Sequence, residues 1–237
     1  MGFWTIIPVK PLRRGKSRLA SILSETDRTI LNSILLQNTL IVLNEVPDID
    51  HTLVISRDPQ ALALARRFGA RTLLENRDSN LNRALEFATS MIRRPAHRGI
   101  LILPADLPLL SSSDVKILLG SAQNPPVISI VPDRHKEGTN ALLISPPGLM
   151  RYSFGVGSFQ RHCNAVALSG ARLEVVENTA MGLDLDTPLD LNLVRDGLKQ
   201  QIGTPETIES TEAILFDDSE KSMLNYKRRC LELIPQQ

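Results

Sequence analysis

Short apolar runs alternate along the chain with longer stretches whose apolar residues recur at helical spacing. Phe3–Val9 (FWTIIPV) is a β-rich run that reads as a buried first strand. Residues 27–46 are apolar-periodic behind Ser24 and Thr26 as caps, which predicts a helix. Residues 51–56 (HTLVIS) read as a second strand, 58–68 as a helix closed by Gly69, Arg71–Leu74 as a third strand and 81–93 as another helix. Residues 99–103 (GILIL) form the clearest strand and run into Pro104-Ala105-Asp106-Leu107-Pro108. A helix follows the serines at 111–113, strands cover 127–131 and 141–144, a helix covers Ser158–Ser169, a strand 173–176 and a helix 189–198. Strands alternating with helices at this spacing predict an α/β fold, a mainly parallel sheet covered on both faces.

The pattern changes after about Gln200, so residues 1–200 read as one domain and 201–237 as a C-terminal extension that regains helical character over 221–233. That tail is an appendage, a packing arm or an oligomerisation element, which leaves a homodimer open. With 42% hydrophobic and 22% charged residues the composition is that of a globular domain, and a formal net charge of +1 advertises neither a nucleic-acid nor a membrane partner. Cys163 and Cys230 form no C-x-x-C pair, which argues against a disulfide framework or a structural zinc site and for a reducing cytoplasm. No apolar run reaches the ~18–20 residues of a membrane span, and the chain enters its first strand without a signal-like segment.

Charge is concentrated locally. Between Lys10 and Arg18 five of nine residues are cationic, immediately after the first strand. Ligands of open α/β sheets collect at the carboxyl ends of strands, so this loop is a candidate polyphosphate seat. Gly15-Lys16-Ser17 is not a P-loop, because Lys10 stands where the motif needs its first glycine. The G-x-G-x-x-G dinucleotide fingerprint is absent from this turn as well. Asp106 lies just past an apolar strand, bracketed by Pro104 and Pro108, in the position of a metal ligand; the competing role is ordering its turn or capping the following helix. Asp184 and Asp186 are two apart and share a face in extended chain. With Asp106 they suit Mg²⁺, which takes one or two carboxylates plus substrate phosphates. Asp186 has a second reading as cap of the helix near Pro188. Two glycine-containing loops remain: 133–140 offers Gly138, Thr139 and Asn140 beside the sheet, and 154–158 opens a helix, where amides and a serine make an anion seat. His135 and His162 read as structural or supporting groups.

Taken together these segments resemble the guanylyltransferases that make the deazaflavin coenzyme F-420. The resemblance is carried by Ile7-Pro8-Val9-Lys10-Pro11-Leu12 with Lys16-Ser17-Arg18-Leu19, by Leu103-Pro104-Ala105-Asp106-Leu107-Pro108, and by Gly138-Thr139-Asn140-Ala141-Leu142. Phe154-Gly155-Val156-Gly157-Ser158-Phe159 and Asp184-Leu185-Asp186-Thr187-Pro188 complete it, in the same order, from about Phe3 to about Leu193. It implies a nucleotide-diphospho-sugar transferase-like fold with a mixed, mostly parallel sheet. It also implies GTP as donor and a small phosphorylated acid as acceptor: phosphoenolpyruvate by preference, or 2-phospho-L-lactate or 3-phospho-D-glycerate. By similarity Thr139, Gly155 and Ser158 bind the acceptor, while Asp106, Asp184 and Asp186 match the metal-binding acids. Lys10, Lys16 and Arg18 would hold the triphosphate, with Lys16 and Asp106 catalytic and Asn82 on the nucleotide side. The product would pass to a transferase of the F-420 pathway. Lys136-Glu137 depart from a smaller Gly/Thr-rich step in many relatives, and the tail lies outside the resemblance. The alternatives are a sugar-nucleotide or molybdopterin-type nucleotidyltransferase of the same fold, or a non-catalytic nucleotide-binding module that would have no need of the three acids.

Overall fold

A computed structural model describes residues 2–76, 80–92, 97–202 and 218–234. In chain order the elements are β1 (Phe3–Val9), α1 (Glu25–Asn44), β2 (Ile49–Ser56), α2 (Pro59–Arg67), β3 (Arg71–Leu74), α3 (Leu81–Ile92), β4 (Gly99–Ile102) and α4 (Ser112–Gly120). Then come β5 (Val127–Pro132), β6 (Thr139–Ser145), α5 (Ser158–Ser169), β7 (Arg172–Val175), α6 (Thr179–Gly182), α7 (Pro188–Ile202) and α8 (Asp218–Leu233). The helix starts are chemically marked. Ser24 accepts from the Asp27 amide, Asp58 accepts from Gln60 with Pro59 at the first helical position, and Ser111 with Asp114 forms a capping box. Gly69, at φ 79°, ends α2 as expected.

The seven strands form one mixed sheet in the order β3-β2-β1-β4-β6-β5-β7. β6 runs antiparallel to both of its neighbours, β4 and β5, while every other pairing is parallel. This single reversal matters for function: it carries the start of β6, Thr139 and Asn140, to the same edge of the sheet as the carboxyl ends of β1, β4 and β5.

The period-two alternation of β1 divides the core. Phe3 and Ile7 pack with α1, α2 and α4 through Leu36, Leu40, Ala61, Leu62, Val115 and Leu118. Trp4 and Ile6 pack on the opposite face with α3 and α5 through Leu85, Ala88 and Val166. A third apolar cluster lies beyond the sheet. There Leu31, Ile34 and Leu35 of α1 meet Leu191, Val194 and Leu198 of α7, and Tyr226, Cys230 and Ile234 close it from the tail. Tyr226 is 5% exposed and donates its hydroxyl to the Pro108 carbonyl at 3.3 Å, two residues past Asp106. The described part of the tail therefore packs as an arm against α1 and α7.

This cluster makes the arm part of the folded unit. Replacing a large buried ring by alanine costs about 3–5 kcal/mol, so Tyr226→Ala should lower the urea midpoint markedly. Leu168→Ala, at a site 90% exposed, should change stability by less than about 0.5 kcal/mol. Equal midpoints for the two variants would show that the arm does not complete the core.

Candidate active site

The loop after β1 is held from below. Asp58 accepts from the Leu12 amide at 2.9 Å, and Asn32 of α1 donates to the Leu12 carbonyl at 2.7 Å. A side chain at Gly15 would place its Cβ 2.5 Å from Asn32 Nδ2, so the loop can lie this close to α1 only with glycine there. Lys16 follows in the left-handed region, at φ 56°. That turn sends its side chain inward while Arg13, Arg14 and Arg18 stay at the surface.

The Lys16 ammonium is the centre of the cluster. It donates to Asp106 Oδ2 at 2.8 Å and to Asp186 Oδ1 at 3.0 Å, with its side chain 5% exposed. Arg18 reaches Asp186 Oδ2 at 3.9 Å. Burial works against the charge on Lys16, but Asp106 and Asp186 outweigh it and its pKa is raised. Burial likewise pushes the Asp186 carboxyl up, and Lys16, with Lys10 and Arg18 beyond it, holds it below its usual range.

Asp184 sits in a different balance. Burial and the neighbouring Asp106 charge raise its pKa, and its amide partner is Asn140, 3.3 Å away. Asn140 is itself fixed by donating to the Met181 carbonyl at 2.9 Å. Between the two acids, Leu185 turns the other way into the third apolar cluster, and its amide donates to the Asp106 carbonyl at 3.1 Å. This is the alternation expected for extended chain, and it ties both acids to the Asp106 loop.

The question of which residue caps α7 has a clear answer. The Asp186 side chain serves Lys16, and Asp190 does the capping, accepting from the amides of Asp186 and Thr187 at 2.9 and 2.6 Å. Thr187-Pro188-Leu189-Asp190 has the spacing of a capping box, so this role was readable in the sequence and was missed. Asp190 also pairs with Arg134 at 2.6 Å, joining the 133–138 loop to α7.

Carboxylates that converge on one ammonium fit a cation there, with Lys16 as the stand-in. The Asp106–Asp184 repulsion is a second sign of fit, because a divalent ion would relieve it. Among the described residues no three His, Cys, Asp or Glu side chains are grouped so as to hold a metal ion by themselves. The arrangement suits an ion that takes one or two carboxylates and completes its shell with phosphate and water.

The acceptor candidates lie at the neighbouring end of β6. Thr139 is 8% and Ser158 2% exposed, whereas Gly155 is exposed in the loop before α5. Asp133 organises the preceding loop by accepting from the amides of His135, Glu137 and Gly138. Lys136 is drawn to Glu177 at 2.6 Å. Gly155 has φ 121°, a conformation unsuited to residues with a side chain, although a Cβ there would meet nothing nearer than 3.6 Å. Arg161 wraps the same loop by donating to Ser153 and Val156. The Ser158 and Phe159 amides are engaged by the carbonyls of Gly155 and Glu137. These two amides are therefore not free to meet a ligand at this helix start. Asn82 is committed as well: its side chain accepts from Phe154 N at 2.8 Å and donates to Phe154 O at 3.2 Å. It links α3 to the loop before α5.

Comparisons with known proteins agree with this architecture. The phosphoenolpyruvate guanylyltransferase of Rubrobacter xylanophilus is 39% identical over 191 residues, covering 81% of this chain and 92% of the relative. The 2-phospho-L-lactate guanylyltransferase of Methanobrevibacter smithii is 31% identical over 186 residues, covering 78% and 80% respectively. A solved protein of Desulfovibrio desulfuricans, described as a nucleotide-diphospho-sugar transferase, superimposes with a TM-score of 0.68 at 13% identity, covering 98% of this chain and 99% of its own. That likeness shows the nucleotide-diphospho-sugar transferase type of fold. Residues 3–197 match the family model described as "Guanylyl transferase CofC like", and with the relatives above this places the chain in that guanylyltransferase family.

Proposed function

We propose that this guanylyltransferase moves GMP from GTP to the phosphate of a small phospho-acid, with phosphoenolpyruvate as the natural acceptor, in the F-420 pathway. The carrying observation is the Lys16 ammonium held between Asp106 and Asp186 on the sheet edge that also presents Thr139. A cation-binding cluster beside buried hydroxyls suits two polyanionic substrates that must meet.

The acceptor phosphate is already anionic, so the reaction needs alignment and charge neutralisation more than a general base. One of its oxygens attacks the α-phosphorus of GTP, the bond to the β-phosphate oxygen breaks, and that oxygen departs with pyrophosphate. Lys10, Lys16 and Arg18 bind the triphosphate, and Lys16 compensates charge on the departing pyrophosphate. Asp106, with Asp184 or Asp186, would hold Mg²⁺, which when bound would supply positive charge to phosphate oxygens. Thr139 and Ser158 donate hydroxyl hydrogens to the acceptor, while Gly155 permits a close approach of backbone. Asn82 spends its side chain on the Phe154 backbone and so steadies the loop that carries Gly155. The phosphoenolpyruvate preference is supported by the name of the 39%-identical relative.

Pyrophosphate release should be fastest with GTP among the four common nucleoside triphosphates. Among phosphoenolpyruvate, phospholactate and phosphoglycerate it should be fastest with phosphoenolpyruvate, when an F-420-pathway transferase draws off the labile product. Equal rates with ATP or CTP would refute the donor assignment, and a preference for phospholactate would overturn the acceptor alone. Asp106→Asn retains size and leaves Asp186 to hold Lys16. It should reduce kcat by about tenfold or far more, since metal-assisted charge stabilisation is worth several kcal/mol, with the circular dichroism spectrum unchanged. Near-normal turnover at saturating Mg²⁺ would contradict the metal assignment.

A further inference from the structure

One buried ring next to the acceptor site has no part in the chemistry above. His162, on α5, is 0% exposed, and both of its ring nitrogens are engaged. The Ser153 amide donates to Nε2 at 3.1 Å, so Nε2 must carry a lone pair rather than a proton. Burial, helped by the nearby Arg161 charge, holds the imidazole pKa down to about 4, and the ring is neutral at physiological pH. A neutral imidazole has one N–H, which these partners place on Nδ1. Nδ1 lies 2.9 Å from Thr139 Oγ1. The ring therefore donates and the threonine oxygen accepts.

The consequence falls on Thr139. Its hydroxyl hydrogen has no acceptor on His162 and is left to donate elsewhere, at the start of β6 on the functional edge. An anionic phospho-acid requires donors, and a hydroxyl spent on a ring nitrogen would present it with lone pairs instead. The Ser153 amide that sets the tautomer is fixed in turn. Phe154, the next residue, is bonded at both backbone groups by Asn82 and sets its ring edge against His162, at 4.9 Å between centroids.

We infer that His162 is a positioning residue that sets the polarity of the Thr139 hydroxyl, so that this hydroxyl donates to the anionic acceptor. The inference rests on the reading of Thr139 as an acceptor contact. It identifies Ser153, His162 and Thr139 as one relay of hydrogen-bond direction running from loop to strand.

The tautomer can be read directly in the wild-type protein. Nitrogen-15 NMR of histidine-labelled enzyme should show His162 protonated at Nδ1 and bare at Nε2; the opposite tautomer would overturn the inference without any variant. Kinetics supply the second arm. Asparagine can place its amide nitrogen near the position of Nδ1, whereas glutamine reaches the position of Nε2. His162→Gln should raise the acceptor KM by roughly tenfold or more, the effect of losing a hydrogen bond to a charged group, with the KM for GTP unchanged. His162→Asn should recover most of that loss. Thr139→Val calibrates the site: an unchanged acceptor KM in this variant would refute the acceptor reading itself. If Thr139→Val raises the acceptor KM while both His162 variants behave as wild type, the inference alone fails. It fails equally if the two variants lose kcat and both KM values alike, the signature of a merely structural ring. Should His162→Gln not fold, the tautomer measurement and the comparison of His162→Asn with Thr139→Val still decide.

Discussion

A buried ammonium group is costly unless its charge is met, and much of this site follows from meeting it at Lys16. The two carboxylates that do so come from residues 90 and 170 positions away in the chain. Without them the desolvation penalty would amount to several kcal/mol. With them the lysine ties the loop after β1, the loop after β4 and the segment before α7 into one edge. Each of these segments has its own fastening. Asp58 and Asn32 hold the first, Tyr226 reaches the carbonyl of Pro108 beside the second, and Asp190 caps and anchors the third.

The reversed strand β6 supplies the other half. In a sheet whose remaining strands run one way, a single antiparallel strand delivers its first residues to the edge where the others end. Thr139 and Asn140 thereby stand beside the acids, Asn140 as a partner of Asp184 and Thr139 as a candidate contact for the acceptor. The surrounding loops are short of freedom. Asp133 gathers three amides of its own loop, and Asn82 with Arg161 pins the segment containing Gly155. A site that must align two anions benefits from such fixed geometry, because the substrates bring no affinity for each other.

Local pattern made most of the elements legible. The β-rich run Phe3–Val9, the cap at Ser24 and the serines at 111–113 predict elements within a few residues of those observed. The two aspartates at 184 and 186 were placed correctly on one side of extended chain, with Leu185 opposed. Alternation alone predicts a mainly parallel sheet. It carries no information about the direction of β6, which depends on long-range pairing with β4 and β5, and the mixed sheet came from the family resemblance. The inward turn of Lys16 was equally hidden, because five cations in a loop look alike until a left-handed backbone selects one for burial. His162 gave no sequence signal of its relation to Thr139, from which it is separated by 23 residues and a loop. Asp190 lies at capping-box spacing from Thr187, but Asp186-Thr187-Pro188 offers an equally good local cap, and only the pairing of Asp186 with Lys16 decides between them.

The proposed function stands on one step, attack of an acceptor phosphate oxygen on the α-phosphorus of GTP at this edge. Phosphoenolpyruvate labelled with oxygen-18 in its phosphate tests it directly, with phosphorus-31 NMR of the products as the readout. Labelled oxygen is expected in the bridge of the new diphosphate and none in the released pyrophosphate. Label in pyrophosphate, or release of GMP in place of pyrophosphate, would contradict it.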